Sequence, residues 1–402
     1  MAGHGPYYGI PLAELQLLLE WSREEEVEIE RYCEKILKNI ADSGDEMTPM
    51  ERFRATMEGK PRDRQFIDSA YFPLYAIRQL DSWSDALKPI DNWRYPKLVI
   101  KSFLATQARF NFDILNYGTY SYGEELWGGN ARFLEYGNPV IAGERPIKSL
   151  ADLEGLEIAD PRVHGMFPQQ LWFGRETRRI FAKYGLDKVL PIGMSFCAGP
   201  EATAWEQMMG FKEFMIGLRK NPELCKQCCA LAEQWSVREA TAIAEEIKPD
   251  LMYWCNIVGS FPLKGNEWLV DIYAKAAKTL APLGIPMVLG FGFPGVLEWL
   301  PALLKGGALG PHVFGINFSE VPYKPMIDFC REHNLYCACM GPYPPSITKD
   351  GPVSAIEEWI KGACEYGKPY PRYTAMLGTF DYWTPQAHVA AAVAATKKYG
   401  KF

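Results

Sequence analysis

The sequence predicts an α/β fold, a (β/α)8 barrel, and three observations lead there. Apolar runs at residues 286–291 (PMVLGF), 313–318 (VFGINF) and 335–340 (LYCACM) are each too short for a buried helix. Each ends at Gly, Pro or a small polar residue, so each reads as a fully buried strand. The gaps between them carry helical spacing: Val296, Leu297, Leu300, Leu303 and Leu304 in one, Met326, Ile327 and Cys330 in the next. Strand and helix alternate at intervals of about 20–25 residues, as right-handed βαβ units in a parallel sheet do. In such a sheet, chemistry gathers where strands end and loops begin, which marks Phe291, Asn317, Glu320, Met340 and Tyr343.

Taken in order, residues 1–10 read as a loose tail. Leu12, Leu15, Leu19, Ile29, Ile36, Leu37 and Ile40 then repeat with helical spacing through an acidic patch, EEEVEIE, and Ser43-Gly44-Asp45 ends the run. Thr48 and Pro49 open a second helix as N-cap and first helical residue, and Gly59-Lys60-Pro61 stops it. A first strand falls at 65–70, an amphipathic helix at 96–110 and a second strand around 114–117. Between 121 and 140 the pattern alternates around Gly-Asn turns (GGNARFLEYGNPV), a β-excursion outside the main repeat. A short capped helix and loop follow at 147–160. Helices at 168–184 and 222–247 accompany strands at 189–196 and 251–256. The eighth strand, 373–378, precedes an Ala-rich helix at 385–399. Eight strands is the number that closes a barrel. The competing open, doubly wound sheet lacks a G-x-G-x-x-G after its first strand. The expected division is an N-terminal helical extension, 1–46, and a barrel, 47–402.

Composition narrows the function. The 402 residues carry a net charge of −6 with both signs interspersed, which points away from nucleic acid and anionic membranes. No apolar run approaches the roughly 20 residues of a membrane span. The first residues, MAGHGPYYGIPLAEL, lack the basic and apolar regions of a secretory signal. Ten cysteines scattered through helices and strands fit reduced thiols, so a cytoplasmic location is expected. The 12 Trp, 21 Tyr and 21 Phe fit either a large core with interfaces or an aromatic-lined pocket.

Cys337 and Cys339 alternate along one strand and share a side, opposite Ala338. Two thiols there could begin a zinc site, but no His or Cys at suitable spacing joins them, and core packing is the plainer interpretation. Neither G-x-S-x-G nor G-x-x-x-x-G-K-[ST] occurs. Three acids stand out: Asp113 in FNFDIL, Asp381 in GTFDYWTP and Glu320 in NFSEVP. Each is either a pocket carboxyl with a raised pKa or a turn and cap residue. Tyr71, Trp254, Asn256, Tyr343 and Tyr382 fall at expected strand ends and would form an aromatic, mildly polar wall.

Several segments, in order, resemble the uroporphyrinogen decarboxylase superfamily and its cobamide-dependent methyltransferases. TPMERFRATMEGKPRDR (48–64) is similar to the family's opening helix, and FDIL (112–115) to its FSDIL. EYGNPV, SLADLEGLEIADP, Gly199-Pro200 and NPELCKQ (221–227) also have counterparts, so the resemblance spans residues 47–400. It implies a (β/α)8 barrel of the uroporphyrinogen decarboxylase type, with Asp113 matching the essential aspartate. The decarboxylase's arginine-rich loop is replaced by SAYFPLY (69–75), its LGHG histidine by Thr379, and its downstream tyrosine falls near Trp205-Glu206. Uroporphyrinogen decarboxylation is therefore not expected. In the coenzyme-M-type methyltransferases, VLHICG supplies zinc ligands. Here VLGFGF puts Gly290 and Gly292 at those positions, and the last cysteine ligand falls near Gly378 or Thr379.

The third branch, the methyltransferase I components of anaerobic O-demethylases, implies methyl transfer from a small methoxyaromatic compound to cobalamin on a separate corrinoid protein. Asp113, Asp381 and Glu320 are then the candidate catalytic groups. Tyr71, Trp254, Asn256, Phe291, Asn317, Met340, Tyr343 and Tyr382 are the candidate substrate contacts. A metal such as zinc and a homodimer stay open. Two alternatives remain: a metal-free decarboxylase or lyase on a small aromatic or heterocyclic acid, and a binding subunit without catalysis.

Overall fold

Among the described residues, runs rich in β-branched and aromatic side chains form ten strands: β1 (Phe66–Tyr71), β2 (Leu115–Tyr117), β3 (Asn130–Arg132), β4 (Val140–Ala142), β5 (Ile192–Phe196), β6 (Leu251–Asn256), β7 (Met287–Phe291), β8 (Val313–Phe318), β9 (Tyr336–Cys339) and β10 (Tyr373–Phe380). The computed structural model describes the chain outside residues 1–4, 72, 85, 86, 89, 118–123, 133, 136–139, 197, 198, 257, 292, 294, 311, 312, 319–321 and 340–344. Side chains at 69–71, 73, 74, 93, 124, 125, 130, 131, 140–142, 196, 291, 313–318, 345, 346, 378 and 379 also lie outside the description.

Eight strands make one sheet in the order β1-β10-β9-β8-β7-β6-β5-β2, every neighbouring pair parallel. β3 and β4 form a separate antiparallel pair. The two ends of the sheet order lie against each other: the Asp113 N–H, just ahead of β2, donates to Ile67 O of β1 at 3.0 Å. This mixed α/β arrangement is compatible with a TIM-barrel-like fold.

The helices that matter for the argument are α1 (Leu12–Leu18), α2 (Arg23–Ala41), α3 (Pro49–Glu58), α4 (Pro96–Phe110), α5 (Phe167–Tyr184), α6 (Phe211–Lys220), α7 (Pro222–Glu246) and α8 (Trp268–Leu280). The apolar spacing from 12 to 40 breaks into two helices. Ser22 caps α2 reciprocally with Glu25, so the chain turns before it. Thr48 and Glu51 build the same capping box on α3. The strand expected at 189–196 begins only at Ile192, because Pro191 has no N–H to donate to a ladder.

Alternation divides the sheet into two faces. Phe66, Ile114, Leu251, Tyr253, Val288, Tyr336, Ala338 and Met376 form an inner cluster, closed at the N-terminal end by Met50 and Phe53 of α3. Ile67, Leu115, Trp254, Leu289, Cys337, Cys339 and Leu377 belong to the larger outer cluster against the helices. Leu12 and Leu15 of α1, with Ile29 and Ile36 of α2, are buried in that same outer cluster. No helix among the described residues is long and apolar enough to cross a membrane.

Asp113 precedes β2, at the end of the parallel sheet opposite the strand termini where chemistry was expected. It is 1% exposed and shared by two guanidiniums. Arg52 of α3 donates from Nη1 to Oδ1 at 2.7 Å, and Arg64 from Nη1 to Oδ2 at 2.6 Å and from Nη2 to Oδ1 at 2.8 Å. The Ile67 N–H adds a bond to Oδ2 at 2.7 Å. Asp63 and Asp45 complete the network on Arg52 and Arg64. Burial pushes the Asp113 carboxyl upward, but Arg52, Arg64 and the Ile67 N–H outweigh it and hold the pKa down at about 2. An ionised carboxylate with every lone pair engaged has no proton to give, so this placement argues against the expected donor role.

Replacing Asp113 with Ala should lower unfolding free energy by about 3–5 kcal/mol, because two buried guanidiniums lose their shared counter-ion. Urea denaturation at pH 7 measures this, and a loss below about 1 kcal/mol would mean the pair behaves as a surface bridge. The folded pKa lies below the unfolded value of about 4, so the stabilisation is complete above that pH and disappears as pH falls toward about 2.

Candidate functional site

Among the described residues, the inner face carries smaller side chains toward the C-terminal edge of the sheet. On β6 the inner residues are Leu251, Tyr253 and then Cys255, which is partly exposed and marks an opening, and a side chain at its β7 neighbour Gly290 would rest in ordinary contact with the Cys255 sulfur, 3.6 Å away. Beneath this level the face turns polar. Asp68 of β1 is fully buried and accepts from the Tyr253 hydroxyl at 2.6 Å and from Asn116 Nδ2 at 3.3 Å.

Over this opening the chain leaves β5 through Gly199. A side chain there would run into the Tyr273 hydroxyl and reach within 2.8 Å of Asn256 Cβ, so only glycine fits. A short helix, Pro200–Thr203, continues into a π-helical turn, Ala204–Met209. Such turns project side chains that a regular helix would hide, and they recur at functional sites. Contacts on both sides fix this one. Buried Glu201 has its two carboxylate oxygens 3.0 and 2.8 Å from the Tyr273 hydroxyl of α8. Trp127 Nε1 donates to Gln207 Oε1 at 3.1 Å, and the Ile147 N–H to Met208 O at 3.1 Å.

The π-turn carries Glu206 toward Cys255. Glu206 is exposed to solvent, yet the protein atoms packed around its carboxyl displace enough water to disfavour the charged form. That partial desolvation pushes the carboxyl up to about 7, with Arg145 pulling the other way. Burial, and next the nearby Glu206 charge, push the Cys255 thiol up to about 11. A carboxyl that titrates near neutrality can give a proton at pH 7 and take it back, as general acid–base catalysis requires. Beside it, Trp205 meets Phe211 edge to face at 4.6 Å. Both rings, with Gly259, Ser260 and Phe293, line a cavity of about 560 Å³.

The sequence-derived candidates distribute unevenly around this mouth. Asp113 lies at the opposite end of the sheet. Trp254 is on the outer face, fully buried with its ring 4.9 Å from that of Tyr273, so it is not a pocket wall. Asn256 ends β6 on the same outer face, buried against Gly199, and neither amide atom has a hydrogen-bond partner among the described residues. Asp381 accepts at Oδ1 from the Trp383 N–H at 2.8 Å and the Thr384 hydroxyl at 3.2 Å, closing the turn into the last helix, Gln386–Tyr399. Tyr382 follows β10, with the Arg78 guanidinium 5.2 Å from its ring centroid. Tyr71, Phe291 and Asn317 have described backbones in β1, β7 and β8, but their side chains lie outside the described residues. Glu320, Met340 and Tyr343 lie outside them altogether. Among the described residues no three His, Cys, Asp or Glu converge as metal ligands would.

No known family profile matches the chain, and no curated protein sequence does. Among solved structures, a methyltransferase from Methanosarcina mazei matches with a TM-score of 0.67 at 20% identity. The likeness covers 88% of this chain and 99% of that one, and it concerns the fold.

If Glu206 and Cys255 share the mouth, Glu206→Gln removes a negative neighbour from the thiol. Peptide mass spectrometry of iodoacetamide-treated protein should then show alkylation of Cys255 rising at lower pH than in the unaltered chain. Superimposable pH curves would separate the two groups.

Proposed function

We propose that this chain is a methyltransferase that removes the methyl group from a small O-methylated aromatic compound and passes it to the corrinoid of a partner protein. The observation that carries this reading is Glu206, a carboxyl titrating near neutrality at a mouth beside the Trp205–Phe211 cavity. The fold likeness to a methyltransferase supports the reaction class. The sheet order, together with the Asp113–Ile67 backbone bond across its two ends, supports closure as a (β/α)8 barrel, with the mouth at one rim.

An aryl methyl ether is a poor methyl donor because its leaving group is a phenolate. Protonating the ether oxygen as the carbon–oxygen bond breaks lets a neutral phenol depart, and Glu206, next in the chain to Trp205 of the cavity wall, would supply that proton. Trp205, Phe211 and Phe293 offer ring surface for the arene, and the apolar lining limits competing water. Arg145 keeps Glu206 from remaining protonated throughout, so the acid can reset from solvent. The partner's corrinoid would supply the nucleophile that receives the methyl group. The residues fit such a partner in that the cavity opens at the surface, with Phe211 52% exposed on its rim. No step uses zinc.

Mixing the protein with cob(I)alamin and a panel of methoxyarenes should produce the methylcobalamin spectrum with at least one arene. The active form is the protonated acid, so the rate should fall as pH rises through about 7. Glu206→Gln should lower the rate by about 100-fold or more and erase that limb. A folded protein that converts no member of the panel would end the methyl-transfer reading. Release of carbon dioxide from an aromatic acid would favour the lyase.

A further inference from the structure

A second cavity, of about 280 Å³, lies at the opposite end of the sheet from the mouth. Its lining includes Arg62, ahead of β1, and Lys368, Pro369 and Pro371, ahead of β10, so both segments enter the sheet at its N-terminal edge. Phe402 forms another wall, and Lys60 stands at the cavity paired with Glu58 at 2.5 Å. Among the described residues the lining contains no Asp or Glu side chain.

Arg62 is 6% exposed, and burying a guanidinium is costly unless its donors and charge are matched. Nη1 donates to Thr56 Oγ1 and Nη2 to Tyr373 O, clipping α3 to β10. Both acceptors are neutral, and the buried Nε has no hydrogen-bond partner among the described residues. The carboxylates nearby are committed elsewhere: Asp113 to Arg52 and Arg64, Asp63 to Arg52. The Arg62 guanidinium carbon is 5.6 Å from the Phe402 ring centroid, and the Lys368 ammonium lies 6.0 Å from the same centroid. Two cations therefore converge on one ring at the wall of one cavity. The clip alone explains Arg62 as a structural bond, but not the unused Nε or the second cation beside it.

We propose that this cavity binds a small organic oxyanion, a carboxylate or a phosphate monoester. Its charged oxygens would lie between Arg62 and Lys368, and its carbon skeleton against Pro369, Pro371 and Phe402. The guanidinium meets only neutral acceptors among the described residues, so its charge is left for an anion to offset, and the ammonium adds a second charge. The prolines and the ring favour an anion with an apolar body over a bare inorganic ion.

Isothermal titration with phenyl phosphate and with benzoate, at constant ionic strength and with chloride as reference, tests this. One equivalent of at least one anion should bind, and the stronger of the two identifies the class. Affinity should fall about tenfold or more in Lys368→Met, since one charge-assisted contact is lost. It should be unchanged in Phe211→Ala, which alters only the distant mouth. Arg62→Met should abolish binding where circular dichroism shows it folded, and Lys368→Met decides the matter where it is not. Absence of saturable heat with either anion would overturn the proposal. So would equal affinity in Lys368→Met, or loss of binding in Phe211→Ala.

Discussion

One carboxylate, Asp113, ties together three parts of the chain that are distant in sequence. Arg52 comes from α3 and Arg64 from the segment entering β1, while Asp113 itself leads into β2. Its backbone N–H bonds to Ile67 O, and its side chain accepts from the Ile67 N–H, so β1 and β2 are locked in register where the sheet order begins and ends. Charge pairing this deep is expensive to assemble, because each ion gives up its water. Once assembled it is stiff, since losing any one partner leaves an uncompensated buried charge. Met50 and Phe53 fill the space above it with apolar side chains. The inner face of the sheet is thereby closed by apolar side chains at its N-terminal end.

The two acids at these opposite ends show how environment, not residue type, assigns a role. Asp113 is more deeply buried, yet two guanidiniums keep it ionised far below the usual carboxylate range. Among the described residues Arg145 is the charge that acts on the exposed Glu206, and it is outweighed by the desolvation of the carboxyl. The π-turn makes this possible, bringing the carboxyl near enough to Cys255 for its charge to raise that thiol. The Glu201–Tyr273 contact and the Gln207–Trp127 bond restrain the turn from both flanks.

Much of the scaffold was legible in the sequence, because buried parallel strands are short apolar runs and the helices carry their own caps. Thr48, Pro49 and Glu51 announce α3, and the alternation in LYCACM correctly places Cys337 and Cys339 on one face. The site was far less legible. FNFDIL shows Asp113 among apolar neighbours but not its partners Arg52 and Arg64, which lie 61 and 49 residues away. Trp254 and Asn256 were chosen for standing at a strand end. The alternation of LMYWCN already put both on the face opposite Tyr253 and Cys255, and that parity is the signal that was overlooked. Asp68 carried a similar signal, a lone acid inside the apolar run FIDSAY. Glu206 carried little: AWEQMM reads as ordinary helix, and only the preceding Gly199-Pro200 hints at a break.

The proposed chemistry requires that Glu206 exchange its proton near neutrality in the folded protein. Carbon-13 NMR of protein labelled at the glutamate side-chain carboxyls, with Glu206→Gln to assign the resonance, measures this directly. A midpoint near 7 for that one resonance is the predicted result. A midpoint at the ordinary glutamate value of about 4.3 would contradict it, leaving a fold with no identified acid at its mouth.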